Sequence, residues 1–211
     1  MKQGVYRDGI PHAQSEMLLI FRRTGQRRYA VEARRTSFPD VEMNPAPGYD
    51  QCIPHDMMHL VVEAKLGLTR AVFGQLAAGG DAGTFHLNPQ LQGTTRDLAR
   101  LRRATKARGQ KLLREGRDES VQSERATYIC WNEWLARSQA NEPRTIAQTM
   151  SQQAKQARKE TPAKELRRLD ETTLAEICRH LDELSSHWSR LNIGEAMTVR
   201  WPDLAVSVER K

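Results

Sequence analysis

The chain has 211 residues, of which 38% are hydrophobic and 28% charged, and Lys and Arg outnumber Asp and Glu by 33 to 26, a formal net charge of +7. That length accommodates one ordinary core, and the charge favours acidic partners such as nucleic acid without constraining the fold. Cys52, Cys130 and Cys178 lie far apart with no CxxC pairing, which excludes a disulfide framework or a cysteine zinc knuckle and points to a reduced, cytoplasmic setting; no apolar run nears the ~20 residues that span a bilayer, so a soluble protein with no membrane partner is expected.

Residues 1 to 16 show no periodicity and read as a loosely packed N-terminal arm, followed by a single domain from 17 to 211. Leu18 to Arg23 and Tyr29 to Arg35, separated by a TGQR turn, read as a β-hairpin: Tyr29, Val31 and Ala33 alternate with Ala30, Glu32 and Arg34. Six arginines (22, 23, 27, 28, 34 and 35) are placed on its solvated face. Ser37 to Tyr49 contains three prolines and a glycine and reads as an extended loop.

Ile53 to Leu68, IPHDMMHLVVEAKLGL, is predicted to be a helix, because Pro54 suits a first turn and Gly67 an end. His55, Asp56, His59 and Glu63 are threaded through its apolar residues. Residues four apart on a helix sit one above the other, so His55 and His59 could aim ring nitrogens at one divalent ion such as zinc. Glu63 lies about 12 Å along the axis from His55, at 1.5 Å per residue, which assigns it and Asp56 to supporting roles. Asp40, Glu42, Asp50, Asp81 and His86 are the candidate third donors. The competing reading makes His55 and Asp56 first-turn hydrogen-bonding groups and His59 a satisfied, half-buried histidine.

The His55-Asp56-x-x-His59 spacing resembles the HExxH helix of zinc metallopeptidases, with Asp in the place of the catalytic Glu and no third His at the expected distance. It is also similar to the HDxxH zinc motif of a ubiquinone-biosynthesis family, whose later Glu is here Ala71. The longer string PHDxxHxxVE, carried by Pro54, His55, Asp56, His59, Val62 and Glu63, resembles one in small uncharacterised bacterial proteins and implies no activity.

Thr69 to Ala78 is predicted to be a short helix stopped by Gly79-Gly80, and the GGDAGTFH that follows reads as a turn, since it lacks a P-loop ending. Thr95 to Arg117 is helical by composition, with nine basic residues against Asp97 and Glu115. Arg96, Arg100, Arg103, Lys111 and Arg114 form a basic ridge opposite Leu98, Leu101, Thr105 and Leu112. Glu119 to Arg137 reads as a helix packing through Val121, Tyr128, Trp131, Trp134 and Leu135, whereas the polar segment 138–162 reads as a mobile linker or weakly held helix. Ala163 to Leu191 carries a seam at 166, 169, 174, 177, 181, 184, 188 and 191, with His180 and His187 flanking it. Met197 to Trp201 and Leu204 to Glu209 read as a second hairpin.

The expected fold is α+β, mainly helical with short terminal β-hairpins. No catalytic signature is present beyond the His helix. Three functional readings follow: a divalent-metal site at His55 and His59; sequence-independent nucleic-acid binding through the basic ridge; and a structural module whose seam helix docks a partner.

Overall fold

A computed structural model of the chain describes residues 16–48, 52–138 and 144–209. The expected N-terminal arm, residues 1 to 16, lies almost entirely outside these. Strands β1 (Met17–Gly25) and β2 (Arg28–Arg35) form the expected hairpin, and β5 (Ala196–Trp201) with β6 (Val206–Glu209) forms the second. β1 pairs antiparallel with β5 from Met17↔Trp201 to Arg22↔Ala196, which merges the hairpins into one sheet. Two pieces read as loop extend it: β3 (Val41–Met43) and β4 (His86–Leu87) add to the β2 edge, giving the order β4-β3-β2-β1-β5-β6. The strands are therefore not all terminal hairpins.

Alternation fixes which face is covered. Leu19 opposes Ala33 and Val199, Phe21 opposes Val31 and Met197, and all six are fully buried. Arg22, Arg34 and Arg200 stand exposed on the other face, but Arg35, with the parity of Ala33, points inward and is buried. It departs from the solvated-face expectation for a stated reason: its guanidinium hydrogen-bonds the carbonyls of Pro39, Leu76 and Gly80.

Helix α1 (His55–Leu66) begins after Pro54 and ends at Gly67, whose φ of 59° is the left-handed conformation glycine adopts without steric cost. It is apolar nearly all round, with Met57, Leu60, Val61 and Val62 buried, because α4 (Arg117–Ser138) and α7 (Glu171–Ser189) both pack on it. α2 (Val72–Ala77) follows it, then α3 (Thr95–Glu115), started by the Thr94 side chain accepting from Asp97 N–H.

Three helical expectations are revised. The buried side of α4 is Ser123, Ala126, Thr127, Ile129, Cys130, Asn132 and Trp134, while Val121 and Tyr128 are exposed. Residues 144–160, read as a linker or weakly held helix, form α5 (Arg144–Glu160), which lies along α4 with Ala154 buried; 139–143 fall outside the described residues. The long seam helix divides into α6 (Ala163–Leu166) and α7, separated at Asp170, which caps α7 through Thr173 N–H. Leu174, Ile177, Leu181, Leu184, Trp188 and Leu191 are buried within the chain, so the seam offers no docking surface and the partner-module reading loses its basis.

α3 approaches the loop after α2 through Gly109, where an added Cβ would lie 1.9 Å from Asp81 Oδ1 and 3.0 Å from its backbone nitrogen. Alanine gains about 1 kcal/mol of helix propensity over glycine, whereas overpacking a tight contact costs about 1–3 kcal/mol. Gly109→Ala is therefore expected to lower the denaturation midpoint; a raised midpoint would show that α3 does not pack here.

Candidate metal centre between two helices

α1 and α4 bring the chemistry together. His55 and His59 are one turn apart on α1, and their Nε2 atoms lie 3.1 Å from each other, with the rings edge to face at 73°. Two nitrogens bound tetrahedrally at 2.0–2.1 Å to a single zinc ion are about 3.3 Å apart, so the pair already has nearly the separation of two ligands on one ion. Both histidines line a cavity of about 350 Å³, together with Gly48, Met58, Glu124, Thr127, Tyr128 and Trp131.

His59 is buried and its other nitrogen is anchored. Nδ1 lies 3.0 Å from Ser123 Oγ and 3.3 Å from Thr127 Oγ1, and Ser123 Oγ donates to Glu63 Oε1 at 2.8 Å. When Glu63 is ionised it can only accept, so Ser123 turns its proton to Glu63 and accepts the Nδ1–H of His59. Nε2 is then left unprotonated toward His55 Nε2, 3.1 Å away, at the distance of a ring-to-ring hydrogen bond. Burial, reinforced by His55, pulls the His59 imidazole from 6.5 down to about 4, which keeps the ring neutral at neutral pH.

Glu63, fully buried, does two jobs with one carboxylate. Besides Ser123 it accepts from Phe73 N–H at 2.8 Å and Val72 N–H at 3.3 Å, the first amides of α2, whose own N-cap residue Ala71 provides no side-chain cap. Burial raises it from 4.5 to about 8; the hydrogen bonds from Phe73, Ser123 and Val72 oppose that rise. Glu63 thus reaches His59 only through Ser123, 60 residues downstream of it.

Asp56 does not turn toward the cavity. Its Oδ2 is 2.5 Å from the Tyr29 hydroxyl, which also lies 2.8 Å from the Pro47 carbonyl oxygen. Burial pushes its carboxyl above the usual range, with the Tyr29 hydrogen bond and His55 opposing. The general-base role implied by the metallopeptidase resemblance is not supported by this orientation. Tyr29 comes from the sheet, so this contact fastens the start of α1 to β2.

Among the described residues, none of the third donors expected from the sequence lines the histidine cavity. Asp40 accepts from Arg35 N–H, Glu42 and His86 sit opposite each other on β3 and β4, and Asp81 lines a separate cavity with His86; Asp50 lies outside the described residues. Glu124 of α4 stands there instead, Oε2 3.7 Å from His59 Nε2, its side chain 72% exposed and free to swing. Among the described residues no three His, Cys, Asp or Glu side chains are closed around one point. The histidine pair is closed and Glu124 stands at its edge. Glu124 and Ser123 give no sequence signal beside His55 and His59, because they lie on a helix more than 60 residues away.

The nucleic-acid candidates Arg96, Arg100, Arg103, Lys111 and Arg114 are all exposed on α3, and Lys111 faces Glu115 at 3.8 Å. No helix among the described residues is long and apolar enough to cross a membrane. Comparison of the chain with protein-family models, curated proteins and solved structures finds no match.

The two buried titrations act in different windows. His59, with its folded value depressed, contributes stability that is present above 6.5 and lost as pH falls through about 4. Glu63, with its folded value raised, contributes stability that is present below 4.5 and lost as pH rises through about 8. Between pH 6.5 and about 8 only the second operates, so stability should fall with rising pH there and Glu63→Gln should flatten the slope. Denaturant melts across that range test this; an unchanged slope in the variant would mean that Glu63 stays ionised in the fold.

Proposed function

We propose that the protein binds a divalent cation, zinc being the best fit, between His55 and His59 of α1 and Glu124 of α4. The carrying observation is the 3.1 Å separation of the two Nε2 atoms, with His59 anchored behind by Ser123 and Glu63. A ligating histidine characteristically donates its second nitrogen to a fixed acceptor, which sets its tautomer and direction, and the Ser123–Glu63 pair supplies that acceptor. Two imidazoles with one carboxylate form a donor set suited to zinc and to other first-row divalent ions.

Each residue has a separable part. His55 and His59 supply the rigid pair, fixed by a buried helix. Glu124 supplies negative charge and closes the third position by a side-chain rotation. Asp56 and Tyr29 hold the first turn of α1 against the sheet, and Glu63 and Ser123 orient His59. The cation's contribution would be to polarise an oxygen of a molecule bound in the cavity, which remains open on the side of Tyr128 and Trp131. Cys52, Cys130 and Cys178 form no disulfide among the described residues, which suits the cytoplasmic setting that this reading assumes.

Untagged protein should take up about one equivalent of zinc or cobalt, measured by mass spectrometry of the metal after gel filtration. The double change His55→Ala, His59→Ala should abolish uptake, and Glu63→Gln should weaken it by about 10–100-fold, the cost typical of losing an outer contact to a ligand. Glu124→Ala should also weaken it. Full uptake by the double variant would refute the assignment.

A second reading retains a specific observation: five exposed cations on one helix, a surface suited to phosphate backbones without means of reading bases. If it holds, affinity for duplex and single-stranded nucleic acid should fall steeply as salt rises, show no sequence preference, and drop on Arg100→Glu with Arg103→Glu. Fluorescence anisotropy at low salt decides it, and absence of binding there removes the reading.

A further inference from the structure

The cavity over the histidine pair has one wall that the cation does not explain. α4 presents Glu124, Thr127, Tyr128 and Trp131 toward it, positions three or four apart and hence one stripe on that helix, and Met58 closes the floor from α1. Tyr128 is 50% exposed and Trp131 half-buried, with its ring 5.2 Å from that of Trp134 and inclined at 38°. Exposed aromatic rings bordering a concave site, with a thioether beneath, are the surfaces on which flat apolar molecules stack.

The charges lining the cavity narrow the ligand further. Although the chain carries 33 Lys and Arg, no Lys or Arg among the described residues lines this cavity, and the acidic group among its described lining residues is Glu124. A phosphorylated or multiply anionic ligand would meet a carboxylate and no counter-charge from the lining. The volume, about 350 Å³, lies at the small end of ligand sites, which begin near ~300 Å³.

We infer that the cavity between α1 and α4 takes a small, uncharged, ring-bearing molecule, stacked on Trp131 and Tyr128, with an oxygen directed at the point between His55 and His59. The inference rests on the cation reading above and adds the class of ligand. Thr127 borders both the ring wall and His59, so a ligand seated on the wall has its polar end beside the histidines. Trp131 and Tyr128 are specificity-determining residues, remote from the cation itself.

Two probes with the same chelating group separate the two ideas. Cobalt-loaded, full-length protein is titrated with benzohydroxamate, acetohydroxamate and inorganic phosphate, and the visible cobalt spectrum is followed. Benzohydroxamate should bind about tenfold more tightly than acetohydroxamate, the size of one good aromatic contact, and phosphate should be the weakest. Trp131→Ala, at a half-buried position, should reduce the preference to within about twofold while cobalt uptake is unchanged. Equal affinity for the two hydroxamates, a preference that survives Trp131→Ala with Tyr128→Ala, or phosphate as the tightest probe would overturn the ligand class and leave the cation site standing. Failure to take up cobalt at all would overturn both.

Discussion

A carboxylate removed from water must find donors on every side, and the packing around α1 is arranged so that Glu63 does. An unpaired buried charge is costly enough to drive the group to its neutral form, so the three hydrogen bonds from Phe73, Val72 and Ser123 are a condition for burying it at all. That condition couples three elements. The amides of Val72 and Phe73 start α2, the hydroxyl of Ser123 brings α4 against α1, and the remaining acceptor on Ser123 faces His59. Short helix α2, only six residues long, is held at its other end by Arg35, which takes up the carbonyls of Leu76 and Gly80. A piece this short gains little from its own hydrogen bonds and depends on side chains that take up its end groups: the Glu63 carboxyl accepts from its first amides and Arg35 donates to carbonyls at its end.

The same constraint makes the histidine pair directional. Exposed histidines one turn apart rotate freely, and their nitrogens meet only at an entropic cost. Here His59 is buried and tied behind, so one of the two ligand positions is set by the core rather than by the ligand. His55 lies at the rim, beside Gly48, where an added Cβ would sit 3.4 Å from His55 Cβ. Glu124, on the solvent side, is the adjustable member. The cluster thus grades from a dry interior at His59 to an exposed edge at Glu124.

The charge of the chain is distributed separately from this chemistry. α3 carries a solvated basic ridge; its buried residues are small, Thr105 and Gly109, whereas Leu98, Leu101 and Leu112 are only partly buried and Leu113 is exposed. The histidine cavity faces a different helix and has no basic lining among the described residues. Two surfaces of opposite character therefore sit on one fold, and a function assigned to one does not bear on the other.

What the sequence determined by itself is what depends on neighbours a few residues apart. The bounds of α1 follow from Pro54 and Gly67, the approach of His55 and His59 from the helical repeat, the two hairpins from alternation, and the buried stripe of α7 from its three-and-four spacing. Tertiary structure alone decided the rest. Ser123, Thr127 and Asn132 are polar residues on an amphipathic helix and read as surface, yet they are buried because α4 turns that side toward α1. β3 and β4 have three and two residues, too few for a period to show, and exist because the exposed edge of β2 offers unpaired amides and carbonyls. Arg35 reads as one of six solvated arginines until the register places it inward. The acidic residue nearest His59 Nε2 in the described structure, Glu124, comes from α4 and not from the loops near the histidines, because contacts across more than 60 residues are set by how helices pack, and no local pattern carries that information.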